Sequence, residues 1–161
     1  MIDEDPDRTQ ELSDLLSLPR QALVEAVGGW WQPAHPAEDA CEPRVWFAAG
    51  YPVEVLLGVG RGGGAAVGMP AIVWDGHEPV LHVRDVREAP PALLGDRLLG
   101  WLRTEAADVT RRRRGAMFSC RYCRTRTGPE HRFEGQVCMA CSSRYLASVW
   151  SIEASRWVYP A

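Results

Sequence analysis

No apolar run in this 161-residue chain approaches the roughly 20 residues that a membrane-spanning helix needs, which sets aside a helical membrane protein. A secretory signal is also missing. Met1-Ile2-Asp3-Glu4-Asp5-Pro6-Asp7 is acidic where a signal is basic and then apolar, so the expected setting is a reducing cytoplasm. Lysine is absent altogether: all 18 Lys+Arg cations are arginine, and with abundant Ala, Gly and Pro this points to a high-GC, bacterial source. No convincing pair of catalytic carboxylates or of nucleophile and base occurs, so an enzyme ranks third among the function classes. What remains, at 46% hydrophobic residues, is enough for one ordinary core with a small appended module.

Cysteine is scarce, yet four of the five form a pattern. Cys120-Arg121-Tyr122-Cys123 and Cys138-Met139-Ala140-Cys141 are two Cys-x-x-Cys pairs separated by fourteen residues. Two residues between cysteines let one tight turn aim both sulfurs at a single ion, and two such turns complete a tetrahedral thiolate shell. One structural Zn²⁺ on Cys120, Cys123, Cys138 and Cys141 is therefore expected, with no open position for metal-centred catalysis. A disulfide framework is the competing use of the same residues.

The net charge of −3 conceals an asymmetry. Residues 1–42 carry ten acids against two arginines, a balance of −8, whereas residues 109–145 carry nine arginines against Glu130 and Glu134, or +7. Four thiolates and one Zn²⁺ add −2, which leaves the module at +5 and makes a polyanion its natural class of partner. The candidate phosphate contacts are Arg111, Arg112, Arg113, Arg114, Arg121, Arg124, Arg126 and Arg132, with Arg144 reaching a base edge. Tyr122, His131 or Phe133 could stack on exposed bases. The run Arg111–Arg114 can equally be a solvated helix end that complements the helix dipole. The acidic N-terminal segment could screen the basic module from within the chain.

Along the chain, residues 1–8 read as a disordered acidic N-terminus, residues 9–110 as an α+β domain and residues 111–161 as a zinc module with a C-terminal helix. Thr9 to Val27 has helical periodicity interrupted at Pro19 and ended by Gly28-Gly29; Pro33 to Pro43 reads as loop. Strands are expected at Val45–Phe47, Val53–Leu57, Ala71–Trp74 and Val80–Val83, with Asp75-Gly76 as a hairpin turn, forming a small antiparallel sheet. Pro90-Pro91 opens a linking amphipathic helix to about Thr110, with Leu94, Leu98, Trp101, Leu102 and Val109 on its apolar stripe, and Gly115 breaks the chain. A further helix is expected over Ser142–Ile152.

A knuckle on a turn, a hairpin around Arg132 to Gln136 and a second knuckle leading into a helix is the order of a treble clef. Thr127-Gly128-Pro129-Glu130-His131-Arg132-Phe133-Glu134-Gly135 followed by Val137-Cys138-Met139-Ala140-Cys141 resembles a contracted GATA-type zinc finger, over about residues 118–150. The resemblance implies zinc on the four cysteines and a helix after Cys141 facing the DNA major groove. Met139 stands where that family has Asn, the spacer is shorter, and only Arg156 remains of a basic tail.

Other constellations are weaker. Gly58-Val59-Gly60-Arg61-Gly62-Gly63 matches GxGxxG, but Pro70 arrives before a crossover helix could form, so a hairpin loop is favoured over a phosphate loop. His77 and His82 near Asp75 and Glu78, and Cys41 six residues from His35, lack a ligand or activation pattern. The leading function is a cytoplasmic, zinc-structured nucleic-acid-binding protein, regulatory or accessory to DNA processing, with DNA ahead of RNA. The alternative is a protein-interaction adaptor or inhibitor, with Trp30 and Trp31 as its exposed anchors.

Overall fold

The structure, a computed structural model, describes residues 7–37, 43–76, 78–145, 149–151 and 156–158. It divides into two compact units, Met1–Ala71 with Leu81–Arg114, and Ile72–Val80 with Gly115–Ala161. Most of the N-terminal stretch expected to be disordered, together with His77 and Cys41, lies outside the described residues. Among the described residues, no helix is long and apolar enough to cross a membrane.

The first unit begins with two short helices, α1 (Thr9–Leu16) and α2 (Arg20–Val27). Ser17, in left-handed geometry, ends α1 by donating its N–H to the Asp14 carbonyl, and Pro19 sets the extended entry to α2. At the start of α1 the Asp7 carboxylate accepts the Thr9 N–H (2.9 Å) and the Thr9 hydroxyl. Fully buried Thr9 in turn accepts the Trp30 and Trp31 backbone N–H groups at 3.1 and 3.4 Å. Trp31 is fully buried and its indole N–H donates to the Gly28 carbonyl at 3.0 Å, so it is a core residue and not an exposed anchor. Trp30 is the exposed member of the pair, at 59%.

Five strands follow in sequential order as an antiparallel sheet: β1 (Gln32–Ala34), β2 (Arg44–Ala49), β3 (Val55–Gly60), β4 (Ala65–Asp75) and β5 (Glu78–Glu88). β1 lies where a loop was expected, pairing Pro33 with Phe47 at the sheet edge, where a missing N–H is tolerated. Side chains alternate across β3 as the two-residue period requires. Val55, Leu57 and Val59 pack with Leu12, Leu16, Leu23 and the next helix, while Leu56 joins Ala34, Ala48 and Val83 on the opposite face. The GxGxxG match is part of this sheet. A Cβ at Gly58 would come within 2.8 Å of the Trp46 ring, and Gly63 takes φ +80 in the loop closed by Gly60 N–H to the Gly64 carbonyl.

Helix α3 runs from Gly95 to Ala116, so it starts after Pro90-Pro91 instead of at them and extends past Thr110, and Gly115 does not break it. Leu94 falls before the helix and is 75% exposed, which removes it from the stripe. The buried stripe is Leu98, Leu102, Ala106, Val109 and Arg113, a helical spacing that carries an arginine into the core.

A four-cysteine centre and its cationic surface

In the second unit, β6 (Phe118–Ser119) pairs with β7 (Arg126–Thr127), and the turn between them carries Cys120 and Cys123. Arg124 takes φ +61 and donates its N–H to the Cys120 carbonyl at 2.9 Å, while Cys120 N–H donates to Thr125 at 3.0 Å. A 3-10 turn at Pro129–His131 leads to a bridge between Arg132 and Cys138, with Gly135 at φ +54 in the bend and Phe133 N–H donating to Val137 at 2.9 Å. Helix α4 (Met139–Tyr145) starts at the second cysteine pair and is anchored by Ser142 N–H to the Cys138 carbonyl. The helix expected over Ser142–Ile152 is not continuous: Val149–Ser151 (β8) pairs antiparallel with Arg156–Val158 (β9).

These turns bring all four sulfurs within 4.8 Å of one another, with Cys123 and Cys138 at 3.9 Å. A tetrahedron with metal–sulfur bonds of about 2.3 Å has sulfur–sulfur edges of about 3.8 Å, so the set could hold one metal ion. The cysteines are free thiols, and their small core consists of Phe118, Cys120, Val137, Cys138 and Cys141. Arg121 N–H to Gln136 (2.8 Å) and Cys138 N–H to the Cys120 sulfur (3.4 Å) tie the two knuckles together. Burial resists ionisation of Cys120, but N–H groups donated by Cys138, Cys123 and Tyr122 outweigh it and bring the thiol down to about 6. Cys141 is pushed up to about 12 by burial and by its sulfur neighbours. Four clustered thiolates repel one another, and a divalent cation removes that repulsion.

The hairpin tip belongs to this unit. Trp74 donates its indole N–H to the Glu130 carbonyl at 3.0 Å and meets the His131 ring edge-on at 5.5 Å. This occupies His131, an expected stacking residue, and nothing local in the sequence announces the contact. Tyr122 is 42% exposed and packs at 5.4 Å, tilted by 31°, against Tyr145, itself 57% exposed. Phe133 is half-buried.

The nine arginines separate into two groups. Arg111 pairs with Asp108, Arg112 with Asp85 (3.0 Å) and Asp108 (3.4 Å), and Arg114 makes a two-pronged contact with Glu54 at 2.7 and 2.8 Å. Arg113 is buried and donates to the Val53 carbonyl at 3.3 Å, which contradicts its expected role at the surface. In contrast, Arg121, Arg124, Arg126, Arg132 and Arg144 are all exposed. Among the described residues, Arg121, Arg124, Arg132 and Arg144 have no carboxylate partner; Arg121, Arg132 and Arg144 lie over the Tyr122, Phe118 and Tyr145 rings at 5.0, 4.5 and 5.5 Å. Asp7, just before α1, pairs with Arg20, and of the acids within α1 Glu11 pairs with Arg8 and Asp14 accepts from Gln10.

The first unit also has an open groove of about 470 Å³ between α2 and α3, lined by Ala26, Val27, Val55, Arg103, Arg111 and Arg114. It contains no acid–base pair, and two of its three arginines are already neutralised by Asp108 and Glu54. No protein-family model, curated protein or solved structure matches the chain.

Proposed function

We infer that this chain is a zinc-structured nucleic-acid-binding protein, acting as a DNA-binding regulatory or DNA-processing accessory factor. The metal is zinc, structural, held by Cys120, Cys123, Cys138 and Cys141 in a treble-clef module of GATA-like type. Four thiolates in a closed tetrahedral set suit Zn²⁺ and leave no position for a substrate. The order of the elements, a cysteine turn in a hairpin, a second short bend and a cysteine pair opening α4, supports the treble-clef reading. Thiolate ligation also fits a reducing cytoplasm.

One observation carries the functional reading: four exposed arginines on the cysteine unit are without carboxylate partners among the described residues, whereas Arg111, Arg112 and Arg114 are matched by acids. Unpaired guanidinium groups on a rigid metal-stapled surface are suited to phosphate oxygens. Fluorescence anisotropy with labelled DNA across a salt series tests this directly. Four phosphate contacts give a slope of log K against log salt of about −3.6 on duplex and about −2.8 on single strands. Replacing Arg121, Arg124, Arg132 and Arg144 together by Gln should abolish the salt-dependent binding, while Arg111→Ala should leave the slope unchanged. No binding by zinc-loaded protein at low salt would shift the reading to a protein-interaction adaptor, which the exposed Trp30 favours.

A further inference from the structure

We propose that Tyr122 and Tyr145, with Arg121 and Arg144, form a stacking platform for unpaired bases, which makes single-stranded nucleic acid the preferred ligand of this surface. The proposal rests on the nucleic-acid reading above and narrows it. The two tyrosines come from separate segments, one inside the first cysteine turn and one at the end of α4, four residues after Cys141. The metal centre that fixes both segments also fixes the spacing of the rings, so the platform is organised before a ligand arrives. That reduces the ordering cost of binding.

Both rings remain substantially open to solvent although they pack on each other, at 42% and 57%. Each has a guanidinium close by, at 5.0 and 5.5 Å, and Arg121 also donates to the Tyr122 hydroxyl at 3.2 Å. Neither arginine has a carboxylate partner among the described residues, and a guanidinium beside each ring is placed to meet the phosphates on either side of a stacked base. A duplex covers the faces of its bases with neighbouring pairs and offers only edges and backbone, whereas a single strand offers faces. The 31° tilt between the rings suits a strand whose base planes can rotate independently. With seven residues, α4 provides only about 10 Å of helix for a groove.

The test compares zinc-loaded full-length protein on a labelled dT20 strand and on a blunt 20-base-pair duplex, by anisotropy at fixed low salt. The expected result is tighter binding to dT20, a loss of roughly 5- to 150-fold on dT20 for Tyr145→Ala, and near wild-type binding for Tyr145→Phe. The salt slope should stay unchanged in Tyr145→Ala and fall by about 0.7 in Arg144→Gln, which separates ring stacking from charge and from a general loss of structure. Zinc content is measured for each variant, and Tyr145→Leu, which keeps bulk without a π face, replaces Tyr145→Ala if that protein does not fold; the same loss is expected. Duplex binding as tight as dT20 binding with Tyr145→Ala unaffected overturns the platform and leaves the nucleic-acid reading standing. Equal losses for the Ala and Phe variants also overturn it. Binding to neither ligand overturns both readings.

Discussion

Arg113 provides the sharpest test of how the basic run is used. Its side chain is on the buried stripe of α3, 4% exposed, with Nε donating to the Val53 carbonyl. Arg113→Ala removes the donor to the half-buried Val53 carbonyl, about 1 kcal/mol, and two buried methylenes worth about 0.8 kcal/mol each. The total is on the order of 3 kcal/mol, which at about 4 °C per kcal/mol lowers Tm by roughly 12 °C. Arg111 is the internal control: its side chain is 79% exposed and its pair with Asp108 is worth no more than about 1 kcal/mol, so Arg111→Ala should shift Tm by less than about 4 °C. Thermal and urea melts followed by circular dichroism, with zinc present, read both variants. Equal small shifts would refute the buried placement. A fall of about 0.9 in the DNA salt slope for a folded Arg113 variant would make the residue a phosphate contact and refute the structural role.

Two further outcomes are expected. Gly58→Ala puts a Cβ 2.8 Å from the Trp46 ring and should cost about 1–3 kcal/mol in urea denaturation, whereas Gly62→Ala, with nothing within 4 Å, should stay within about 0.5 kcal/mol; the reverse order would contradict the packing. Asp7 is held below its ordinary 3.8 chiefly by the Thr9 hydroxyl, and Asp108 chiefly by Arg111. A depressed carboxylate contributes stability above its unfolded pKa and loses it as pH falls through the folded value. Stability measured from pH 5 to pH 2 should therefore decline below about pH 4, and Asp7→Asn should flatten the decline; an unchanged pH profile in that variant would rule out the Thr9 contact as its source.

What could be read from the sequence follows the range of the interactions. The cysteine pairs were legible because chelation is local: two intervening residues fix the turn, and the sulfurs do converge. α1 and α2 were legible from their own periodicity. Asp108 lies within one helical turn of Arg111 and Arg112, but the partners Asp85 of Arg112 and Glu54 of Arg114 were hidden because they lie 27 and 60 residues away. Arg113 did leave a signal, since extending the Leu98, Leu102, Val109 spacing by four residues lands on it. The helix expected through Ile152 failed on composition. Val149-Trp150-Ser151 and Arg156-Trp157-Val158 are β-formers that pair in register, with Trp150 opposite Trp157, and serines at 142, 143 and 148 give α4 little propensity to continue. The Tyr122–Tyr145 pair depends on the four-cysteine cluster that brings two segments together, so neither segment alone revealed it.

The central claim is that four cysteines organise the C-terminal unit around one zinc ion. Protein purified under reducing conditions and measured by native mass spectrometry with elemental analysis should carry one zinc per chain, retained in Cys41→Ser and lost in Cys120→Ser, Cys123→Ser, Cys138→Ser or Cys141→Ser. A metal-free chain, another metal in its place, or zinc that survives loss of any two of these four thiols would contradict it.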